Sequence, residues 1–157
     1  ALRIAAHSGR GRPFHSLGIT PHTAAQGSES MSEQTRALIQ AHWDLANARD
    51  WTKFAQLLDP ALLYEAPQTR EYIEGGHGYL DMFSTWPGDW KASIKQLICQ
   101  ESTAISIIDF VVGTEVMTGI SIFELNNGLI TKVTDYWPEP YEPAPRVTPH
   151  MKRRPPE

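Results

Sequence analysis

Residues 119–140 read GISIFELNNGLITKVTDYWPEP. Two runs of strand-forming residues flank Asn126-Asn127-Gly128. An Asn-Gly step suits a tight turn that needs positive φ, so the stretch predicts a β-hairpin. Its second strand runs into Asp135-Tyr136-Trp137-Pro138, and Pro138 has no N–H with which to extend a ladder. An acid therefore sits among aromatics at the end of a strand. It is either half-solvated or held in an apolar pocket that would raise its pKa.

Working outward, the chain before this hairpin reads as strand from 90 to 100, 103 to 112 and 116 to 125, with turns at Glu101-Ser102 and Gly113-Thr114. Further upstream the period changes. A helix is expected from Ser32, its cap, with Leu38, Ile39, His42, Trp43, Leu45 and Ala46 on one apolar face. Asp50 caps a second helix carrying Trp51, Phe54, Leu57 and Leu58, which ends at Asp59-Pro60. A strand follows at 61–66, a short returning strand at 70–74, and a short helix at 79–86 that stops at Pro87-Gly88. Helices first, then a meander of strands, is an α+β order. It predicts helices on one face of a strongly curved, mostly antiparallel sheet.

Three regions are expected. Residues 1–30 are rich in Gly, Ser and Arg and hold one acid, Glu29; they read as a poorly ordered leader or as a segment from an upstream start, and Met31-Ser32-Glu33 reads as a natural start. Residues 31–140 form a single domain. Residues 141–157 are a Pro-rich extended tail.

The 157 residues allow one domain with a sizeable core. A net charge of -4 and no basic stripe argue against nucleic acid as a partner. A single cysteine, Cys99, excludes an intrachain disulfide and any cysteine-based zinc site. No apolar run approaches a membrane span, and cytoplasmic is the default expectation. No phosphate-binding loop, dinucleotide fingerprint or nucleophile elbow is present, so no cofactor is expected. His77 would meet Glu65 or Asp81 around a metal only if the fold converged them, and no metal is expected.

Three segments carry a family likeness: Trp43 to Leu58 (WDLANARDWTKFAQLL), Leu62-Leu63-Tyr64-Glu65-Ala66-Pro67, and the hairpin from Asn127 to Trp137. Together they resemble the nuclear transport factor 2-like superfamily, and within it the SnoaL-like (polyketide cyclase-like) branch. The resemblance spans about residues 32–140. It implies a cystatin-like cone, a sheet wrapped around helices with an apolar pocket, and a homodimer through the outer sheet face. It does not fix a chemistry, since this scaffold hosts isomerases, cyclases, dehydratases, epoxide hydrolases and non-enzymatic binders. In the limonene-epoxide-hydrolase members an Asp-Arg-Asp set acts. Asp135 and Asp109 fall on the two aspartates, but Ile107 stands at the arginine, so that mechanism is not expected.

Strand parity then nominates inward side chains. On the last strand Val133, Asp135 and Trp137 share a face opposite Lys132, which places them inside. Before it, Met117, Gly119 and Ser121 form one set, with two small residues that leave room for a ligand. Asp109 and Val111 share a face on the preceding strand, and Leu63 and Glu65 on the first. Trp43, Phe83 and Trp86 on the helices complete the expected wall. Asp135, Asp109 and Glu65 are thus candidate catalytic carboxyls, able to split their pKa values into an acid and a base. That enzyme would act without a cofactor on a small, mostly apolar, oxygenated compound. It requires Asp109 and Asp135 on the same face. With the two on opposite faces, or the pocket filled by aromatics, a non-catalytic binding or dimerisation module is the better reading.

Overall fold

The computed structural model describes residues 21–156. Nine elements follow in order: α1 (Pro21–Ala48), α2 (Trp51–Ala55), β1 (Leu58–Ala66), β2 (Glu71–Glu74), α3 (Gly76–Thr85), β3 (Trp90–Gln100), β4 (Thr103–Val112), β5 (Glu115–Asn126) and β6 (Leu129–Tyr136). The expected leader lies outside the described residues up to residue 20. From Pro21 onward it is helical, so α1 begins well before Ser32. Proline is well placed to open a helix, because the first helical N–H has no intrahelical partner.

The six strands form one open sheet in the order β2-β1-β6-β5-β4-β3. All neighbours are antiparallel except β1 and β6, which run parallel. The closing hairpin turns as expected: Asn127 and Gly128 have φ of 50° and 73°, the two positive values that such a turn demands.

Asp50 caps α2 by accepting from the Lys53 N–H. The helix is shorter than its apolar spacing suggests, because Leu58 is taken into the sheet opposite Ile130. β1 therefore runs through Asp59-Pro60. Pro60 is tolerated there because β2 pairs with β1 only from Leu63 onward, so the missing N–H breaks no bond. Gly76 is required where α3 starts: a Cβ there would stand 2.6 Å from the Asp59 carbonyl oxygen.

Helices α1 and α3 cover one face of the sheet, α1 over β3 and β4 and α3 over β1 and β2. Between them lies an apolar core that includes Ile39, Phe54, Leu62, Ile108, Phe123 and Val133. Strands β4, β5 and β6 alternate buried and partly exposed residues over most of their length, so one face of the sheet is interior and the other is outward. Beyond Trp137 the described tail forms no helix or strand and is almost wholly exposed.

Candidate functional site

The interior face is set by the strands themselves. On β4 it carries Ala104, Ser106, Ile108 and Phe110; on β5 Gly119, Ser121 and Phe123; on β6 Ile130, Val133 and Asp135. On β1 it carries Leu62, Tyr64 and Ala66. The register aligns Ser121 with Asp135 and Tyr64 with Val133, so Tyr64 and Ser121 flank Asp135 from its two neighbouring strands.

A cavity opens between the sheet and α3. Trp43, Tyr64, Met82, Phe83, Trp86, Phe110, Asp135 and Trp137 line it. Counted out to its mouth it encloses about 380 Å³, but the free space inside is only about 30 Å³, room for one or two waters. Asp135 is the one charged residue in this wall. It is 4% exposed, and its Oδ1 is buried with no hydrogen-bond partner. Burial pushes its pKa up to about 6, against the pull of hydrogen bonds from the Ser121 and Tyr64 hydroxyls. Burial and the Asp135 charge together hold the Tyr64 phenol well above its usual range. At neutral pH Tyr64 is therefore a donor and Asp135 a mostly ionised carboxylate near its titration point.

A second buried polar pair backs the wall. His42 Nε2 and the Tyr79 hydroxyl are 2.8 Å apart, while His42 Nδ1 has no partner. Burial lowers the His42 pKa to about 3, so the ring is neutral. It is enclosed by Trp43, Phe54, Phe83 and Phe123. The Trp43 indole N–H donates to Ser106 Oγ at 3.1 Å, which fixes one wall of the cavity.

Of the three candidate carboxyls, only Asp135 reaches this cavity. Asp109 points outward and pairs with Lys95 at 3.1 Å. Glu65 also points outward and pairs with Lys132 at 3.4 Å. The parity grouping was sound but the inner side of β1 and β4 was misassigned. The neutral sets, Leu62/Tyr64/Ala66 and Ala104/Ser106/Ile108/Phe110, are the ones that bury. Leu63 and Val111 move outward with their charged neighbours.

Trp43, Phe83, Trp86 and Trp137 line the cavity. Ser121 stands opposite Asp135 in the β5–β6 register. Gly119 lies beneath the Trp137 ring, and Val133 is fully buried core. Met117 is instead substantially exposed. Tyr64, Met82 and Phe110 were missed. The rule that put Lys132 outside, applied to Glu65 and Asp109, finds Tyr64 and Phe110. Met82 carries no such signal.

Among the described residues no cluster of three or more His, Cys, Asp or Glu could hold a metal ion, and no helix is long and apolar enough to cross a membrane.

The SnoaL-like domain family matches residues 39–133. Among solved structures, a provisionally named ketosteroid isomerase from Kribbella flavida is 39% identical, with a TM-score of 0.73, covering 80% of this chain and 93% of that one. A protein of cystatin-like fold from Methylobium petroleophilum is 17% identical with a TM-score of 0.59, covering 78% and 97%. An LEH-like epoxide hydrolase of M. tuberculosis is 16% identical with a TM-score of 0.59, covering 68% and 84%; likeness at this level is one of fold. A comparison with curated proteins found no match.

Proposed function

This chain belongs to the SnoaL-like domain family, and on that premise we propose that it binds a small, mostly apolar, oxygenated molecule and moves a proton on it with Asp135 as the single acid–base group. The observation that carries this is a lone carboxyl in an aromatic cavity, 4% exposed and with its pKa raised to about 6. A base poised near the working pH is the form that proton transfer favours.

With Asp109 and Glu65 turned outward, no second carboxyl among the described residues lines the cavity to position or activate a water. The arrangement suits a reaction in which one group takes a proton and gives it back. The Asp135 carboxylate removes a proton from a carbon beside a carbonyl. Charge builds on the carbonyl oxygen as Asp135 becomes neutral, and the Tyr64 hydroxyl can then turn its one O–H from Asp135 to that oxygen. The Asp135 carboxylic acid then returns the proton to another carbon of the same molecule. The likeness to the Kribbella flavida protein supports an isomerase of this kind.

A test is the conversion of small β,γ-unsaturated ketones to conjugated isomers, followed by ultraviolet absorbance. Turnover should fall at least about 100-fold in Asp135→Asn and about 10-fold in Tyr64→Phe. A second reading, a non-catalytic ligand-binding module, is favoured by the narrow cavity and the single carboxyl. Ligand binding without turnover across the ketone panel would select it.

The outer sheet face supports a homodimer. Ile98, Ile105 and Ile122 form one row across β3, β4 and β5, and Ile107 and Ile120 form the next. Light scattering should report a dimer that Ile107→Lys converts to monomer.

A further inference from the structure

We propose that the cavity accepts small organic cations, a quaternary or tertiary ammonium head held against the Asp135 carboxylate and faced by the rings of Trp43, Trp86 and Trp137. The inference goes beyond proton transfer and does not depend on it.

Two observations carry it. The first is an uncompensated charge. Asp135 is buried, and among the described residues its Oδ1 has no partner and no lysine, arginine or histidine lines the cavity. Its neighbours are two hydroxyls, Ser121 and Tyr64. The other two carboxyl candidates, Asp109 and Glu65, point outward and have cations of their own, Lys95 and Lys132. A buried anion without a cation is costly, and a ligand bearing positive charge offsets that cost directly.

The second is the wall. Three indoles, Phe83, Phe110 and Tyr64 line the same cavity as the carboxyl, with the Phe110 ring nearly perpendicular to those of Trp86 and Trp137. Indole faces attract ammonium groups, and more strongly once both are desolvated. A neutral apolar ligand would use the rings but leave the carboxylate unmatched.

Entry requires movement at the mouth. Trp86 is 47% exposed and stands at the C-terminal end of α3, and Met82 is an unbranched, adaptable side chain. Trp86 stands outside the core cluster, whereas Met82 packs against it, so displacement of Trp86 is the smaller rearrangement that would widen the mouth.

Choline and 3,3-dimethyl-1-butanol test the idea, since they differ in charge and hardly in shape. Titration of the intact chain, followed by calorimetry and tryptophan fluorescence, should give choline a Kd at least about 10-fold lower. Asp135→Asn should reduce that preference to under about threefold. Trp86→Leu, at the exposed rim where folding is insensitive, should weaken choline more than the alcohol. Equal or tighter binding of the alcohol overturns the proposal, as does a preference that survives Asp135→Asn, or no binding of either at millimolar concentration. Ketone turnover lost in Asp135→Asn despite any of these leaves the proton-transfer reading standing.

Discussion

Asp109 and Asp135 lie on the same sheet, two strands apart, with their carboxyls on opposite faces. Asp109 is tied to Lys95 at 3.1 Å in the partly solvated outer face, and Asp135 is buried in the aromatic interior. Their chemistry diverges accordingly.

Asp109→Asn and Glu65→Gln should therefore leave ketone turnover within about twofold, and stability within about 1 kcal/mol, because each breaks only an exposed ion pair. Asp135→Asn should abolish turnover at unchanged secondary structure. Activity and circular dichroism on the three variants check this. Equal losses in all three would mean that the outer carboxyls matter in a way their placement does not explain.

Stability should respond to pH through two opposed groups. Between about pH 4 and 6 the unfolded chain holds a proton on His42 that the folded chain does not, since folding lowers its pKa from 6.5 to about 3. That makes stability rise with pH by about 1.4 kcal/mol per unit. Asp135 works in reverse: folding raises its pKa from 3.8 to about 6, so the folded chain keeps a proton that the unfolded chain has lost, and stability falls as pH rises. In the wild type the two slopes offset. Asp135→Asn removes one of them. Its unfolding free energy in urea should fall from pH 6 to pH 4 more steeply than the wild type's, by about 1.4 kcal/mol per unit. Parallel curves would contradict a carboxyl whose pKa is raised by burial.

The His42–Tyr79 pair should show a strong coupling. His42→Phe strands the Tyr79 hydroxyl in the core and should cost about 1–3 kcal/mol. Tyr79→Phe strands the imidazole with a similar cost. The double variant should cost less than the sum, because no polar group is left unpaired. Chemical denaturation of the four proteins measures the difference, and strict additivity would show that the pair contributes nothing.

The outer edge of the Trp137 ring stands 3.0 Å from where a Cβ on Gly119 would sit, with Ile108 Cγ1 equally close. Gly119→Ala should push Trp137 toward the cavity. Ligand binding should weaken about 10-fold while stability changes by about 1–3 kcal/mol, the usual cost of overpacking. Unchanged binding would show that Trp137 does not set the width of the site.

Much of the fold was legible because period and punctuation agreed. The β3 and β4 bounds follow from their runs and turns, and Asn127-Gly128 sets the closing hairpin. The start of α1 was not legible, since the composition of residues 21–30 resembles that of a leader. The site was legible in part. Lys132 marked the outer face of β6 and so placed Asp135 inside. The outward turn of Asp109 and Glu65 was misread, because an acid among isoleucines looked buried on sequence alone. In the sheet Ile108 is interior while Ile105 and Ile107 share the outer face with Asp109, and Lys95, a residue at a register shift on β3, supplies the ion pair. The Asp135–Tyr64 contact depends on β1 running parallel beside β6, a crossover that no local pattern announces.

The most direct test is the titration of the Asp135 carboxyl itself, by carbon-13 NMR of chain labelled at aspartate, with Asp135→Asn to assign the signal. A midpoint about 6, distinct from the other aspartates, is the predicted result. A midpoint below about 4.5, within the range of ordinary solvated carboxyls, would contradict a buried acid–base group and remove the basis for proton transfer in this cavity.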